Sequence, residues 1–294
     1  MNMYYAVGGG LGHFSRAIAF IHSHPELSVS NTVVMVADRD MYSLANHHFR
    51  DKSWATLKIV KIPTEAFQNR DCLHHWLSRW LEKVQPKVAY LDTFPAGILG
   101  EWNGLSHRPG RIHYVGRYLK RGAYSHSTDI CFDRAYQLED WHPGQEENLR
   151  ECSKAIVPFT LQYPEACIPV DLQRKISNWQ QEGREVWAIV HSEPKDETEA
   201  LLSYARDIAA LEDTHPVYLQ CSYQSSAPVS DVFPCHLFPA YGLFPSVDRL
   251  ITACGFNLMR QTLAFRHQHL CMPFPRRYDD QFLRFKQWKA AVEK

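Results

Sequence analysis

The glycine-rich stretch near the start of the chain constrains its fold more than any other feature. Residues 4–21 read YYAVGGGLGHFSRAIAFI. A short apolar run stops at three consecutive glycines, and apolar residues resume at helical spacing after His13. Glycine lets the backbone approach another group closely, and the N–H groups that begin a helix favour an anion. The stretch therefore predicts a strand, a tight loop suited to phosphate, and a helix.

Several interpretations of this loop compete. A dinucleotide-binding turn needs Gly-x-Gly-x-x-Gly and an acid after the second strand, where Asp38 stands, but His13 occupies the third glycine position. A P-loop needs Gly-Lys-Ser/Thr, which the stretch lacks. A sugar-nucleotide loop would use Gly10, Gly12 and Arg16, with His13 as the chemical group. The alternative without a function is a plain turn between strand and helix that carries a solvated histidine.

Composition limits the class of protein. A chain of 294 residues with 45% hydrophobic residues can form two domains, each with its own core. The formal net charge is zero, which argues against a nucleic-acid-binding protein whose affinity depends on neutralising many phosphates. No apolar run approaches the ~20 residues of a transmembrane helix, and no signal-peptide pattern precedes the first strand. We therefore expect a cytoplasmic protein without a nucleic-acid partner.

The sequence also argues against a metal site. The eight cysteines include no Cys-x-x-Cys pair, and the sixteen histidines show no recognisable ligand spacing. The tripeptide Asp38-Arg39-Asp40 has the Asp-x-Asp form of metal-dependent GT-A glycosyltransferases. Its place after the second strand suits a turn or a helix cap better. We expect no obligatory metal.

Strands and helices alternate along both halves of the chain, which predicts two parallel-sheet domains with a ligand in the cleft between them. Asp71 and Asp196 are candidate helix caps. Asp92 ends a buried strand, where open α/β sheets bind ligands, although it could equally cap the following turn. The predicted domains span 1–160 and 184–294, joined by a linker over 161–183. Predicted strands lie at 31–37, 57–62, 111–116, 154–159, 185–192, 216–221 and 250–253, and a further strand begins at 87 and ends in Asp92-Thr93-Phe94-Pro95.

Specific motifs in both halves resemble those of a known family. Gly-Leu-Gly-His-x-x-Arg near the start, Ile-Thr-Ala-Cys-Gly-Phe-Asn at 251–257 and Met-Pro-Phe-Pro-Arg-Arg-Tyr-Asp-Asp-Gln at 272–281 look like those of a GT-B glycosyltransferase. Leu-Asp-Thr-Phe-Pro-Ala-Gly at 91–97 also resembles a segment of these enzymes. The similarity is greatest to the peptidoglycan N-acetylglucosaminyltransferase group and related predicted bacterial glycosyltransferases. It covers nearly the whole chain in order and implies two Rossmann-like domains that face each other across a cleft.

The resemblance implies that the C-terminal domain binds the nucleotide-sugar donor, a substrate and not a cofactor, with UDP as the expected nucleotide. Gln261 replaces the glutamate that the family uses for the ribose, and it lacks the charge of that carboxylate. His191-Ser192-Glu193 replaces a loop that is normally rich in Gly and Ser. The implied donor-binding residues are His191, Ser192, Phe244, Gly255, Phe256, Asn257, Gln261, Asp280 and Gln281.

The same resemblance assigns the chemistry to the N-terminal domain. Glycosyl transfer needs a base for the acceptor's proton and stabilisation of the departing diphosphate. His13 is the candidate base because the pKa of histidine lies near neutrality. Asp92 either orients it or is itself the base. Arg16 and Arg276 are candidate helpers for the leaving group, and inversion follows from the resemblance alone. The phosphate or acceptor loop comprises Gly9, Gly10, Gly12 and Arg16.

Two other functions stay open. The first loop also resembles the UDP-sugar hydrolase of pseudaminic acid synthesis, whose histidine activates water. A non-catalytic relative that only binds a sugar nucleotide would explain the departures at Gln261 and at His191-Ser192-Glu193. The acceptor is unknown and could be a glycan, a lipid-linked sugar or a small molecule. The last helix, with Phe282, Phe285 and Trp288 among basic residues, is a candidate for peripheral membrane contact or for packing back on the N-terminal domain.

Overall fold

The computed structural model describes residues 1–8, 10–28, 30–37, 57–122, 127–191, 194–221 and 231–292. The chain divides into two compact units, Met1–Pro164 and Glu165–Lys294. Gly9, Ser192 and the tripeptide Asp38-Arg39-Asp40 lie outside the described residues.

The first unit contains a sheet of seven parallel strands in the order β3-β2-β1-β4-β5-β6-β7. Four of these strands are apolar and almost wholly buried, as expected where helices cover both faces of a parallel sheet. Its strands are β1 Asn2–Ala6, β2 Thr32–Val36, β3 Leu57–Lys61, β4 Val88–Asp92, β5 Arg111–Gly116, β6 Arg134–Gln137 and β7 Ile156–Pro158. Its described α-helices are α1 Leu11–Ser23, α2 Arg70–Val84 and α3 Pro143–Glu151.

The second unit contains a sheet of five parallel strands in the order β10-β9-β8-β11-β12. Its strands are β8 Val186–Val190, β9 Val217–Cys221, β10 Val232–Cys235, β11 Arg249–Ala253 and β12 His269–Met272. Its described α-helices are α4 Val170–Gln181, α5 Lys195–Leu211, α6 Phe256–Gln261 and α7 Gln281–Val292. Short 3-10 helices span Thr64–Gln68 in the first unit and Ala240–Ser246 and Leu263–Gln268 in the second.

Both sheets reverse their strand order at one point. In the first unit β1 pairs with both β2 and β4, and in the second β8 pairs with both β9 and β11. Loops that leave neighbouring strands at such a point diverge and open a crevice at the carboxyl ends of the strands. The glycine-rich loop follows β1, and Asp92 is the last residue of β4. The fold therefore brings the loop and Asp92 to one crevice.

Several local expectations need correction. The side chain that caps α2 is Asn69, which accepts a hydrogen bond from the backbone N–H of Cys72 at 2.9 Å, and not Asp71. Helix α5 begins after Pro194 without a side-chain cap, so Asp196 lies in its first turn. Residues 170–181, within the segment expected to be a linker, form α4, and its Ile176 packs in the core of the second unit.

The last helix packs against its own unit. Phe285 and Trp288 lie against a small buried cluster of Cys254, Met259 and Cys271, and Phe282 is 55% exposed. No helix among the described residues is long and apolar enough to cross a membrane. Peripheral membrane contact stays a prediction.

Candidate functional site

A buried His–Asp pair lies at the point where the first sheet reverses its strand order. His13 is in the first turn of α1 and Asp92 is the last residue of β4. The His13 Nδ1 atom lies 2.5 Å from Asp92 Oδ2. Because an ionised carboxylate only accepts hydrogen bonds, Nδ1 carries the proton and donates a hydrogen bond to Asp92. This assigns Nε2 as the unprotonated nitrogen of the neutral ring.

Asp92 is held by further donors. Arg16 donates from Nε to Oδ1 and from Nη2 to Oδ2, both at 2.6 Å, and the Tyr4 hydroxyl donates to Oδ1 at 3.1 Å. Arg16 Nη2 also donates to the Thr93 hydroxyl at 2.6 Å. The Asp92 side chain is wholly buried, and both of its carboxylate oxygens accept hydrogen bonds within the network. Its position favours orienting His13 over acting as the base itself.

The charges of this network are set by burial and by pairing. Burial alone would raise the pKa of Asp92, but Arg16 and His13 hold it well below its ordinary value, so Asp92 is ionised at neutral pH. Burial lowers the pKa of His13, and Asp92 offsets only part of that effect. His13 is therefore neutral at pH 7, which is the state a general base needs.

Two backbone features give His13 and Asp92 their positions. A Cβ atom on Gly8 would lie 2.0 Å from His13 Nε2, so the imidazole can pack over the loop only because this residue is glycine. Thr93 has a φ of 68°, which is rare for a β-branched residue. Its carbonyl accepts a hydrogen bond from the Tyr114 hydroxyl at 2.6 Å, which holds this turn. Such strain is typical of functional sites.

The remaining residues of the predicted loop differ in their surroundings. Gly10 precedes α1 with a φ of 75° and is exposed, and Gly12 is exposed in the first turn of α1. Arg16 is only 2% exposed, and its guanidinium donates to Asp92 and Thr93. Direct contact between Arg16 and a phosphate stays a prediction, whereas its hold on Asp92 is present in the structure.

The predicted donor residues of the second unit lie near the carboxyl ends of β11 and β12. Gly255 precedes α6, Asn257 is in its first turn, and Gln261 is its last residue and partly exposed. Phe256 is buried, with the guanidinium carbons of Arg260 and Arg284 at 5.0 and 5.7 Å from its ring centre. Phe256 therefore supports α6 by packing its ring against these two guanidinium groups.

Asp280 and Gln281 fix the turn between β12 and α7. The Asp280 carboxylate accepts from the backbone N–H of Leu283 at 2.9 Å, which is a helix-capping bond. The Gln281 side-chain oxygen accepts from the backbone N–H of Phe274 at 3.0 Å, and Gln281 is 4% exposed. Phe244 is fully buried in the core of the unit. Stacking of a base on Phe244 stays a prediction, and the structure gives this ring a packing role.

His191 belongs to a second polar cluster at the end of β8. Its Nε2 lies 2.9 Å from Glu197 Oε2, and Glu197 also accepts two hydrogen bonds from Arg276. His191 and Arg276 were predicted from the sequence as site residues, whereas Glu197 and Tyr4 were not. The signal for Glu197 was its position in the first turn of the helix that follows the strand.

Clusters of metal-ligand type are absent from the described residues: no group of three or more His, Cys, Asp or Glu side chains there could hold a metal ion. The Asp-x-Asp tripeptide lies outside those residues.

Comparison with known proteins identifies the fold. The UDP-N-acetylglucosamine 2-epimerase from Neisseria meningitidis, bound to UDP-GlcNAc, is similar with a TM-score of 0.60 and 11% identity over 100% of this chain and 92% of that chain. MurG from Acinetobacter baumannii is similar with a TM-score of 0.52 and 12% identity, over 99% of this chain and 83% of that chain. The glycosyltransferase SnogD from Streptomyces nogalater is similar with a TM-score of 0.52 and 12% identity, over 93% of this chain and 81% of that chain. The chain has the GT-B fold. The predicted fold class of two Rossmann-like parallel-sheet domains is thereby confirmed.

No protein-family profile and no curated protein sequence matches the chain. Because glycosyltransferases and an epimerase share the GT-B fold, the reaction has to be argued from the site and not from the fold.

Proposed function

We propose that this GT-B protein transfers a sugar from a UDP-sugar donor to an acceptor hydroxyl, with inversion and without a metal. The observation that carries the proposal is the buried His13–Asp92 pair at the carboxyl ends of β1 and β4. The UDP-GlcNAc bound to the Neisseria meningitidis epimerase supports a sugar nucleotide as the ligand class.

The geometry of the pair suits general base catalysis. The neutral His13 ring would accept the acceptor's hydroxyl proton at Nε2 while the acceptor oxygen bonds to the anomeric carbon of the donor sugar. The bond between that carbon and the diphosphate breaks, and the nucleoside diphosphate leaves with the bonding electrons. Asp92 keeps the proton on Nδ1 and stabilises the imidazolium that forms. Attack from the face opposite the leaving group inverts the anomeric centre.

Donor binding is assigned to the second unit. The backbone of Gly255 and Phe256 and the side chain of Asn257 would contact the diphosphate, and Gln261 would hydrogen-bond the ribose. Gln281 ties the start of α7 to the backbone of Phe274 through its hydrogen bond, so it would shape the sugar pocket.

Hydrolysis of the sugar nucleotide is the second candidate. The observation that favours it is the same pair, because a neutral histidine held by an aspartate deprotonates water as readily as an acceptor hydroxyl. A sugar-nucleotide-binding protein without turnover is the third outcome that the test below distinguishes.

The test is a thermal-shift screen of the protein against UDP-, GDP-, dTDP- and CMP-sugars and NAD(H), followed by mass spectrometry of each stabilising ligand after incubation alone. We expect stabilisation by a UDP-sugar that grows with its concentration, as linkage requires. A donor that stays intact when incubated alone and is consumed only when acceptors are added supports transfer. Free sugar without an acceptor identifies a hydrolase, and stabilisation by NAD(H) alone overturns the proposal.

A further inference from the structure

The second unit holds an arginine that is anchored along one edge of its guanidinium. Arg276 Nη1 donates to Glu197 Oε1 at 2.5 Å, and Nη2 donates to Glu197 Oε2. Nη1 also donates to the carbonyl of Pro275 at 2.9 Å. The guanidinium carbon lies 5.9 Å from the centre of the Phe274 ring. The end-on edge of this guanidinium is therefore committed to the protein.

The other edge of the same guanidinium carries two N–H donors. A guanidinium carries five N–H donors, and the contacts with Glu197 and Pro275 use three of them. The Nε–H and the outer Nη2–H, which point the same way, have no partner among the described residues. The Arg276 side chain is 29% exposed, so part of it is open to a ligand. Two parallel N–H groups are the arrangement that binds two phosphate oxygens at once.

Glu197 is itself well placed to fix Arg276. Its side chain is 12% exposed and lies in the first turn of α5, where the helix dipole favours a carboxylate. His191, at the end of β8, contacts the same carboxylate through Nε2 at 2.9 Å. The Glu197 carboxylate is thereby held from two sides, and it holds the guanidinium in one orientation before any ligand arrives.

We infer that Arg276 binds the diphosphate of the nucleotide donor through its Nε–H and Nη2–H edge, and that Glu197 is the residue that positions it. The inference rests on the proposed function and adds the group that meets the negative charge as the nucleoside diphosphate departs. Preorganised donors at the place where charge develops stabilise the leaving group without the cost of reorientation.

The experiment is isothermal titration of UDP and of uridine into the wild-type protein and into Arg276→Gln. We expect UDP to bind the variant about 10- to 100-fold more weakly, as for the loss of hydrogen bonds to a charged group, while the affinity for uridine stays unchanged. Glu197→Gln should weaken UDP binding in the same selective way but by less, because Arg276 keeps its charge. GDP and guanosine are titrated identically in case the donor carries guanine.

Arg277→Gln is the matched control. Arg277 is the next residue, is exposed, and places its guanidinium 4.9 Å from the Tyr278 ring centre. The substitution removes the same charge, and UDP affinity should stay at the wild-type value. If Arg276→Gln fails to fold by circular dichroism, Arg276→Lys serves instead, since it keeps the charge but loses the paired donors.

The outcomes of these titrations distinguish a failure of the role of Arg276 from a failure of the proposed function. If the wild-type protein and Arg276→Gln bind UDP with equal affinity, the inference is overturned and the proposed function stands. An equal loss of UDP and uridine affinity also overturns it, because the role of Arg276 would then be structural. Absence of nucleotide binding by the wild-type protein overturns both.

Discussion

His13 is the residue on which the proposed chemistry depends. We expect His13→Ala to lower turnover by about a hundredfold or more, the usual contribution of a general base, and to leave UDP affinity near the wild-type value because donor binding is assigned to the second unit. Steady-state kinetics and a UDP titration measure the two effects. His22→Ala, which changes an exposed histidine at the far end of the same helix, is the control. Wild-type turnover in His13→Ala would remove this residue from the mechanism.

The pKa of His13 predicts the acid limb of the pH profile. Since burial lowers this pKa from 6.5, the ring is mostly neutral at pH 6.5, and the midpoint of the acid limb of kcat/KM should lie below that pH. Activity should fall only at lower pH, where the ring becomes protonated. The measurement is kcat/KM against pH. An acid limb above pH 6.5 would contradict a buried neutral base.

Gly8 offers a test of the position of the ring. In Gly8→Ala the new Cβ would lie 2.0 Å from His13 Nε2, so the imidazole must move. We expect turnover to fall at least tenfold, with UDP affinity unchanged. Gly144→Ala is the matched control, because its Cβ would have no contact closer than 3.4 Å, to His142. If kinetics show that Gly8→Ala turns over like Gly144→Ala, Nε2 is not the reacting atom.

For individual residues, the sequence predicted which side chains form the site but not all of the contacts that hold them. The glycines with a histidine and the aspartate at a strand end predicted that His13 and Asp92 lie in one crevice. The hydrogen bonds of Arg16 and Tyr4 to Asp92 could not be predicted, since neither residue shows its partner in its spacing. The left-handed turn at Thr93 was also beyond prediction, because β-branched residues rarely adopt it.

Among the helices, α2 provides a direct test of its corrected cap. Asn69→Ala removes the acceptor for the backbone N–H of Cys72, and we expect a loss of about 1 kcal/mol in the free energy of unfolding. Asp71→Ala changes an exposed side chain 3.7 Å from Arg70 and should cost much less. Urea unfolding followed by circular dichroism measures both. A larger loss in Asp71→Ala would restore the original assignment of the cap.

Strands were predicted best where apolar runs were bounded by polar residues. The predicted strand 111–116 matches β5, and 57–62 and 216–221 differ from β3 and β9 by one residue. The strand predicted to begin at 87 and to end in Asp92-Thr93-Phe94-Pro95 matches β4, which ends at Asp92 before the turn at Thr93. Strand β6 was missed, since its four residues RAYQ show no apolar run. Its pairing partners in the sheet, and not its own sequence, make it a strand.

For the whole molecule, buried histidines predict how stability depends on pH. Burial lowers the pKa of His113 to about 4 and that of His269 to about 3, and it lowers that of His13. The unfolded chain, with pKa values near 6.5, therefore binds more protons than the folded protein below that pH. The free energy of unfolding should fall as the pH decreases from 6.5 towards 3, and Asp92 should add to the loss only below its ordinary value of 3.8.

Urea midpoints at pH 7.5, 6 and 5 measure this dependence. His269→Gln, which removes one buried titrating group while keeping a hydrogen-bonding side chain next to Thr252, should flatten the slope. Equal midpoints at pH 7.5 and pH 5 would show that these histidines are not neutral and buried in the folded protein.

The arginines around His13 have a consequence for the end of each reaction cycle. In the proposed reaction the ring becomes a buried cation once Nε2 holds the acceptor's proton, and the charges of Arg16 and Arg117 then favour its release. Asp92 cannot take that proton because its pKa lies far below neutrality. The proton passes outward to water or to the departing diphosphate. In the proposed reaction this release would return His13 to the neutral form that the next turnover needs.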